Sequence, residues 1–144
     1  MTQPASAVDR FVFDACALIA YFTDEEGAEK AEHLIEQAQA GKSELYVASV
    51  NVYEVFYNML RSESPERAEE ILKDLDELPV TVVEIVDRAL MRHAAHFKIK
   101  FKMSFADSIA LGLSKQLGAK LVTTDHHELD VVEKSGEAQF FWLR

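Results

Sequence analysis

Apolar residues recur along this chain in two alternating rhythms. Short apolar runs bounded by charged or turn-forming residues read as strands at residues 10–13, 45–48, 80–86, 120–123 and 139–143. Between them the spacing is helical. Thr23 with Glu26 resembles a capping box ahead of Ala28, Ala31, Leu34, Ile35 and Ala38, and Gly41 stops that helix. Ser49 is placed to cap a helix with Val52, Val55, Phe56, Met59 and Leu60 on one stripe. Ser64-Pro65-Glu66 opens the next, with Ala68, Ile71, Leu72 and Leu75 inward and Pro79 as its breaker. Asp87 caps a helix to about Phe97; Ser104 starts another with Phe105, Ile109, Leu113 and Leu117 inward, ended by Gly118.

Strands alternating with helices predict an α/β fold: three layers, about five parallel strands with helices on both faces, in a single domain spanning 1–144. In such sheets, sites form beyond the carboxyl ends of the strands. That rule selects among the 25 acidic residues. Asp14 follows the run Phe11-Val12-Phe13 and precedes Ala17-Leu18-Ile19-Ala20; Asp125 stands just past Leu121-Val122-Thr123. Glu54 lies in the helix after the second strand, and Asp107 among apolar residues near the start of a later helix. Each has an ordinary alternative: Asp14 and Asp107 suit helix starts, Asp125 a turn, Glu54 a surface. Together they form a set, and converging carboxylates need a hard cation to offset their repulsion. Oxygen donors of this kind suit magnesium or manganese.

Charge complicates the picture. The net charge is −10, whereas a nucleic-acid enzyme needs a basic footprint somewhere. The stretch 63–77 is acidic apart from Arg67 and Lys73, but 88–102 carries Arg88, Arg92, Lys98, Lys100 and Lys102 with no acid among them. Cys16 is the single cysteine, so an internal disulfide is excluded. The opening MTQPASAVDR lacks the pattern of a signal peptide, and no 18-residue apolar run offers a membrane span. The expected location is cytoplasmic.

Four segments together resemble the motifs of PIN domains. Phe13-Asp14-Ala15-Cys16-Ala17-Leu18-Ile19 is similar to the first, and residues 49–56, with Glu54, to the second. Met103-Ser104-Phe105-Ala106-Asp107-Ser108-Ile109-Ala110 is similar to the third, and Leu121-Val122-Thr123-Thr124-Asp125 to the fourth. The resemblance covers nearly the whole chain. It implies a metal site of Asp14, Glu54, Asp107 and Asp125 for Mg²⁺ or Mn²⁺, and an endoribonuclease leaving a 5′-phosphate and a 3′-hydroxyl. It also implies a toxin of the VapC type, dimeric and restrained by a cognate antitoxin protein. Cys16 stands where the family usually has Ser, Asn or Thr; Cys16 and Thr123 are the residues expected around the ligands. Arg88, Arg92, Lys98, Lys100 and Lys102 are the candidates for RNA phosphates. His126 and His127 are read as an extended pair pointing different ways, with a surface or supporting role. A haloacid-dehalogenase-type phosphatase is disfavoured because it needs a second acid at the place of Cys16. A non-catalytic PIN-like binding module, or a PIN nuclease of RNA processing without an antitoxin, remains as the alternative.

Overall fold

The computed structural model describes residues 8–144; the opening segment read above as lacking a signal sequence falls largely in residues 1–7, outside the described residues. Five parallel strands form one sheet: β1 (Asp9–Phe13), β2 (Ser43–Ala48), β3 (Val80–Val83), β4 (Lys120–Thr123) and β5 (Gln139–Trp142), in the order β3-β2-β1-β4-β5. Seven helices connect them: α1 (Ala15–Phe22), α2 (Ala28–Gln39), α3 (Ser49–Ser62), α4 (Pro65–Glu77), α5 (Arg88–Lys100), α6 (Phe105–Leu117) and α7 (His126–Ser135).

The strand order explains the layers. From β1 the chain steps outward through β2 to β3, then crosses back to β4 beside β1 and on to β5. Right-handed crossovers running in opposite directions place their helices on opposite faces. Accordingly α1 to α4 pack on one face with Phe11, Phe13, Leu45, Val47 and Val122. Helices α5 to α7 pack on the other with Val12, Ala48 and Leu121. Both faces of the central strands are buried, which is why they read as continuous apolar runs rather than alternating ones. The order reverses between β1 and β4, the switch point where the carboxyl ends leave a crevice.

Several expected boundaries shift. Thr23 closes α1 rather than opening α2: its amide and hydroxyl both bond to the Ile19 carbonyl, and α2 begins after Gly27 at φ 98°. Ser49 is the first residue of α3 and does not cap it; the cap is Ala48, with no side-chain bond. Strand β3 ends at Val83, because Glu84, Ile85 and Val86 lie exposed beyond the last pair with β2. Phe105 and Leu60 point outward, at 66% and 42% exposure. Helix α5 runs on to Lys100. Of the α/β connections, α1 is foreshadowed only by Asp14 as a residue suited to a helix start, and α7 not at all. Ser64 and Pro65, Asp87, Ser104 and Gly118 terminate helices as their residue types suggest.

Candidate metal centre

Strand β1 delivers Asp14 to the crevice, and the bond from its amide to the Val122 carbonyl (3.2 Å) ties it to β4. Its side chain is 1% exposed. Oδ1 accepts the Ala17 amide at 2.8 Å and caps α1; Oδ2 is buried and has no hydrogen-bond partner. One oxygen of the carboxylate therefore caps the helix while the other is left without a partner. Burial raises its pKa to about 7; the Thr123 hydroxyl and Ala17 amide oppose this, and Asp107 and Asp125 add repulsion. Thr123 is fully buried at the end of β4, and its hydroxyl accepts the Asp125 amide at 3.1 Å. It sits beside both strand-end acids, close enough to lower the Asp14 pKa, yet without a well-formed bond to Oδ2.

Asp125 caps α7 through the Glu128 amide, which Oδ1 accepts at 3.1 Å. Asp107 stands in the first turn of α6, where its amide donates to Ser104 Oγ at 3.1 Å. Its pKa rises to about 6, through burial first, against the Ser104 bond, and then through Asp125 and Glu128. Glu54 is half-buried on α3; burial, then Asp107 and Asp125, raise its pKa, and its Oε1 is buried without a partner.

Cys16 reports how these groups are arranged. Its thiol is pushed up to about 12, first by burial and then by Asp14, Asp125, Asp107 and Glu54 in that order. All four carboxylates thus bear on one point. At that pKa the thiol keeps its proton in the metal-free chain. Among the described residues no three acidic, histidine or cysteine side chains form a ready-made metal cage. Each of the four carboxylates acts on Cys16, yet they do not close into one cage. The donor set still fits a hard divalent cation: it is all oxygen, and two buried carboxylate oxygens, Asp14 Oδ2 and Glu54 Oε1, have no other partner.

The basic stretch divides. Lys98 donates to the Met103 carbonyl at 2.6 Å, and Lys100 pairs with Glu137 at 3.0 Å, so both serve the fold. Arg88 and Arg92 are exposed on α5. Lys102 lines a cleft of about 530 Å³ with Lys100, Phe101, His127, Glu128 and Val131. This cleft borders the carboxylates, because Glu128 bonds Asp125 and repels Asp107.

The histidine reading needs correction. His126 and His127 open helix α7 rather than lying in an extended segment, since the Asp125 cap starts a helix directly after β4. His126 stacks on Trp142 with centroids 3.8 Å apart, and its ring nitrogens meet Asp130 Oδ1 and the Arg144 carbonyl, each at 2.7 Å. It is a structural clasp between α7 and the end of β5. Two residues near the site escaped the sequence reading. Glu128 needed the helix α7 to be seen. Asn51 carried a visible signal: a polar residue one turn before Glu54 in an otherwise apolar stretch.

A family model described as PIN domain matches residues 11–134. No curated protein is detectably similar in sequence. Among solved structures, a chain of VapBC2 from Rickettsia felis, bound to a promoter DNA fragment, aligns with TM-score 0.73 at 10% identity, covering 92% of this chain and 98% of that one. A chain of DNA-bound VapBC from Salmonella typhimurium aligns with TM-score 0.72 at 16% identity, covering 95% and 100%. VapC20 of Mycobacterium tuberculosis, a toxin that cleaves the sarcin-ricin loop, aligns with TM-score 0.65 at 15% identity, covering 84% and 94%.

Proposed function

The chain belongs to the PIN domain family, and from that premise we propose that it is a Mg²⁺- or Mn²⁺-dependent endoribonuclease, the toxin of a type II toxin–antitoxin pair. The observation that carries this reading is the arrangement of Asp14, Glu54, Asp107 and Asp125 around Cys16, with buried carboxylate oxygens left without partners. Desolvated acids whose pKa values are driven up to about 7 and about 6 favour a reactive site over a binding module. The toxin assignment draws on the fold shared with VapBC chains, and it brings with it a cognate antitoxin partner and a homodimeric, cytoplasmic protein. Among the described residues no helix is long and apolar enough to cross a membrane.

When bound, the cation supplies Lewis-acid activation of water and neutralises charge on the scissile phosphate. Asp14 and Asp107 would hold it, with Asp125 alongside. Thr123 fixes the spacing of the two strand-end acids through the Asp125 amide. Glu54, its pKa raised, orients the attacking water and takes its proton. The water oxygen bonds to phosphorus as the P–O3′ bond breaks, and the departing 3′-oxygen takes a proton from solvent, leaving a 5′-phosphate and a 3′-hydroxyl. Lys102 and the exposed Arg88 and Arg92 contact phosphates further along the RNA.

The test is incubation of purified protein with a structured RNA pool in Mg²⁺, Mn²⁺ or EDTA, followed by end-group analysis. Cleavage confined to the metal-containing reactions, with 5′-phosphate ends, supports the reading. Cleavage that persists in EDTA, or yields 2′,3′-cyclic phosphate ends, refutes it.

A further inference from the structure

Asn51 is fully buried, in the first turn of a helix that has no side-chain cap. Its Nδ2 donates to the Ala106 carbonyl at 3.3 Å, a bond between residues 55 apart in sequence. Reversing the amide would set two carbonyl oxygens against each other, so the donor assignment is the only favourable one. Ala106 immediately precedes Asp107. Glu54 lies three residues after Asn51, on the same face of α3. One side chain thus connects the helix of one acid to the residue beside another. Its Oδ1 is buried without a partner, as is Glu54 Oε1 one turn later.

We propose that Asn51 is a positioning residue of the carboxylate centre, its amide holding the first turn of α6 against α3 and so setting where Asp107 stands relative to Glu54. The inference rests on the reading of these acids as a metal centre. Packing alone does not account for the residue. A leucine shares asparagine's branched outline and would avoid burying an unsatisfied oxygen, which costs stability. What leucine cannot do is donate to the Ala106 carbonyl. Glu54 and Asp107 repel each other when ionised, and the Asn51 bond ties α3 to α6 at the residue before Asp107.

The experiment titrates Mn²⁺ into the full chain by electron paramagnetic resonance, for the wild type and Asn51→Leu, beside thermal melts of the metal-free proteins. The expected result is a variant that melts at or above the wild-type temperature yet binds Mn²⁺ about tenfold more weakly, the lower end of what loss of a supporting residue costs a metal site. Equal Mn²⁺ affinity in a folded variant overturns the inference and leaves the metal-centre reading intact. Absence of Mn²⁺ binding by the wild type overturns both. If the leucine variant does not fold, Asn51→Ala removes the same bond without overfilling the site, and the same two outcomes apply.

Discussion

Gly112 of α6 lies directly against the backbone of Ala94 on α5: a Cβ at Gly112 would stand 2.8 Å from the Ala94 nitrogen and 2.9 Å from its Cα. Only a residue without a side chain lets the two helices come this close. Helix α6 carries Asp107 in its first turn, five residues before Gly112, so the approach of α5 and α6 is part of what places that acid.

Gly112→Ala therefore forces backbone apart rather than the tip of a flexible side chain. Overpacking of this kind costs about 1–3 kcal/mol, against which the better helix propensity of alanine returns less than about 1 kcal/mol. Thermal unfolding will show a melting temperature several degrees lower. An unchanged or higher temperature would mean that the helices can separate freely.

Asp14 makes the metal-free protein sensitive to pH. Its pKa is raised from 3.8 to about 7 in the folded chain, so the folded state holds a proton that the unfolded state has already released. The stability this group contributes is complete below about pH 4 and is lost as pH rises through about 7. Asp107, raised from 3.8 to about 6, acts in the same direction. In denaturant titrations with EDTA, stability attributable to these acids falls between pH 4 and 7. Asp14→Asn, which preserves the α1 cap, makes that fall shallower. A slope identical to the wild type's would contradict the burial of an ionisable group at this position.

Metal binding runs the other way. A cation needs the carboxylates ionised, so protons compete for the site. Apparent Mn²⁺ affinity measured by calorimetry will rise from pH 5.5 to pH 7.5, and binding will release protons, seen as an observed enthalpy that varies with the ionisation enthalpy of the buffer. Affinity that is flat across this interval would exclude Asp14 and Asp107 as ligands.

The lysines separate into two kinds. Lys102→Ala should leave stability unchanged within about 0.5 kcal/mol and reduce the salt slope of RNA binding by about one, as the loss of a phosphate contact does. Lys98→Ala removes the bond to the Met103 carbonyl and should lower stability by about 1 kcal/mol while leaving the slope alone. Filter binding in an Asp14→Asn background, across a series of salt concentrations, measures the slopes, and denaturant unfolding measures the stabilities. The reverse assignment of effects would displace the RNA path from the cleft beside Glu128.

Much of this layout is legible in the sequence, for identifiable reasons. Buried parallel strands must be apolar on both faces, so the central runs stand out, and an acid just beyond such a run is conspicuous at Asp14 and Asp125. Ser64-Pro65 and Gly118 announce helix ends through backbone chemistry that leaves little choice. Thr23 misleads because a hydroxyl can close a helix through the Ile19 carbonyl as well as open one. Phe105 misleads because helical spacing gives a face but not whether a neighbour covers it; here it remains 66% exposed. The bond from Asn51 to Ala106 joins positions 55 apart, and no local pattern encodes it. His126 gains its partners from Asp130, Trp142 and Arg144 only once α7 has folded back along β5.

The most direct test of the central claim compares wild type and Asp14→Asn on one structured RNA pool in Mn²⁺. The substitution keeps the Ala17 cap and removes a single buried charge, so the variant should be folded and at least as stable without metal. The account predicts metal-dependent cleavage by the wild type and a loss of at least about a hundredfold in the variant, the scale of removing a ligand or its support. Cleavage by Asp14→Asn at the wild-type rate would contradict it, and would place the reaction somewhere other than the crevice between β1 and β4.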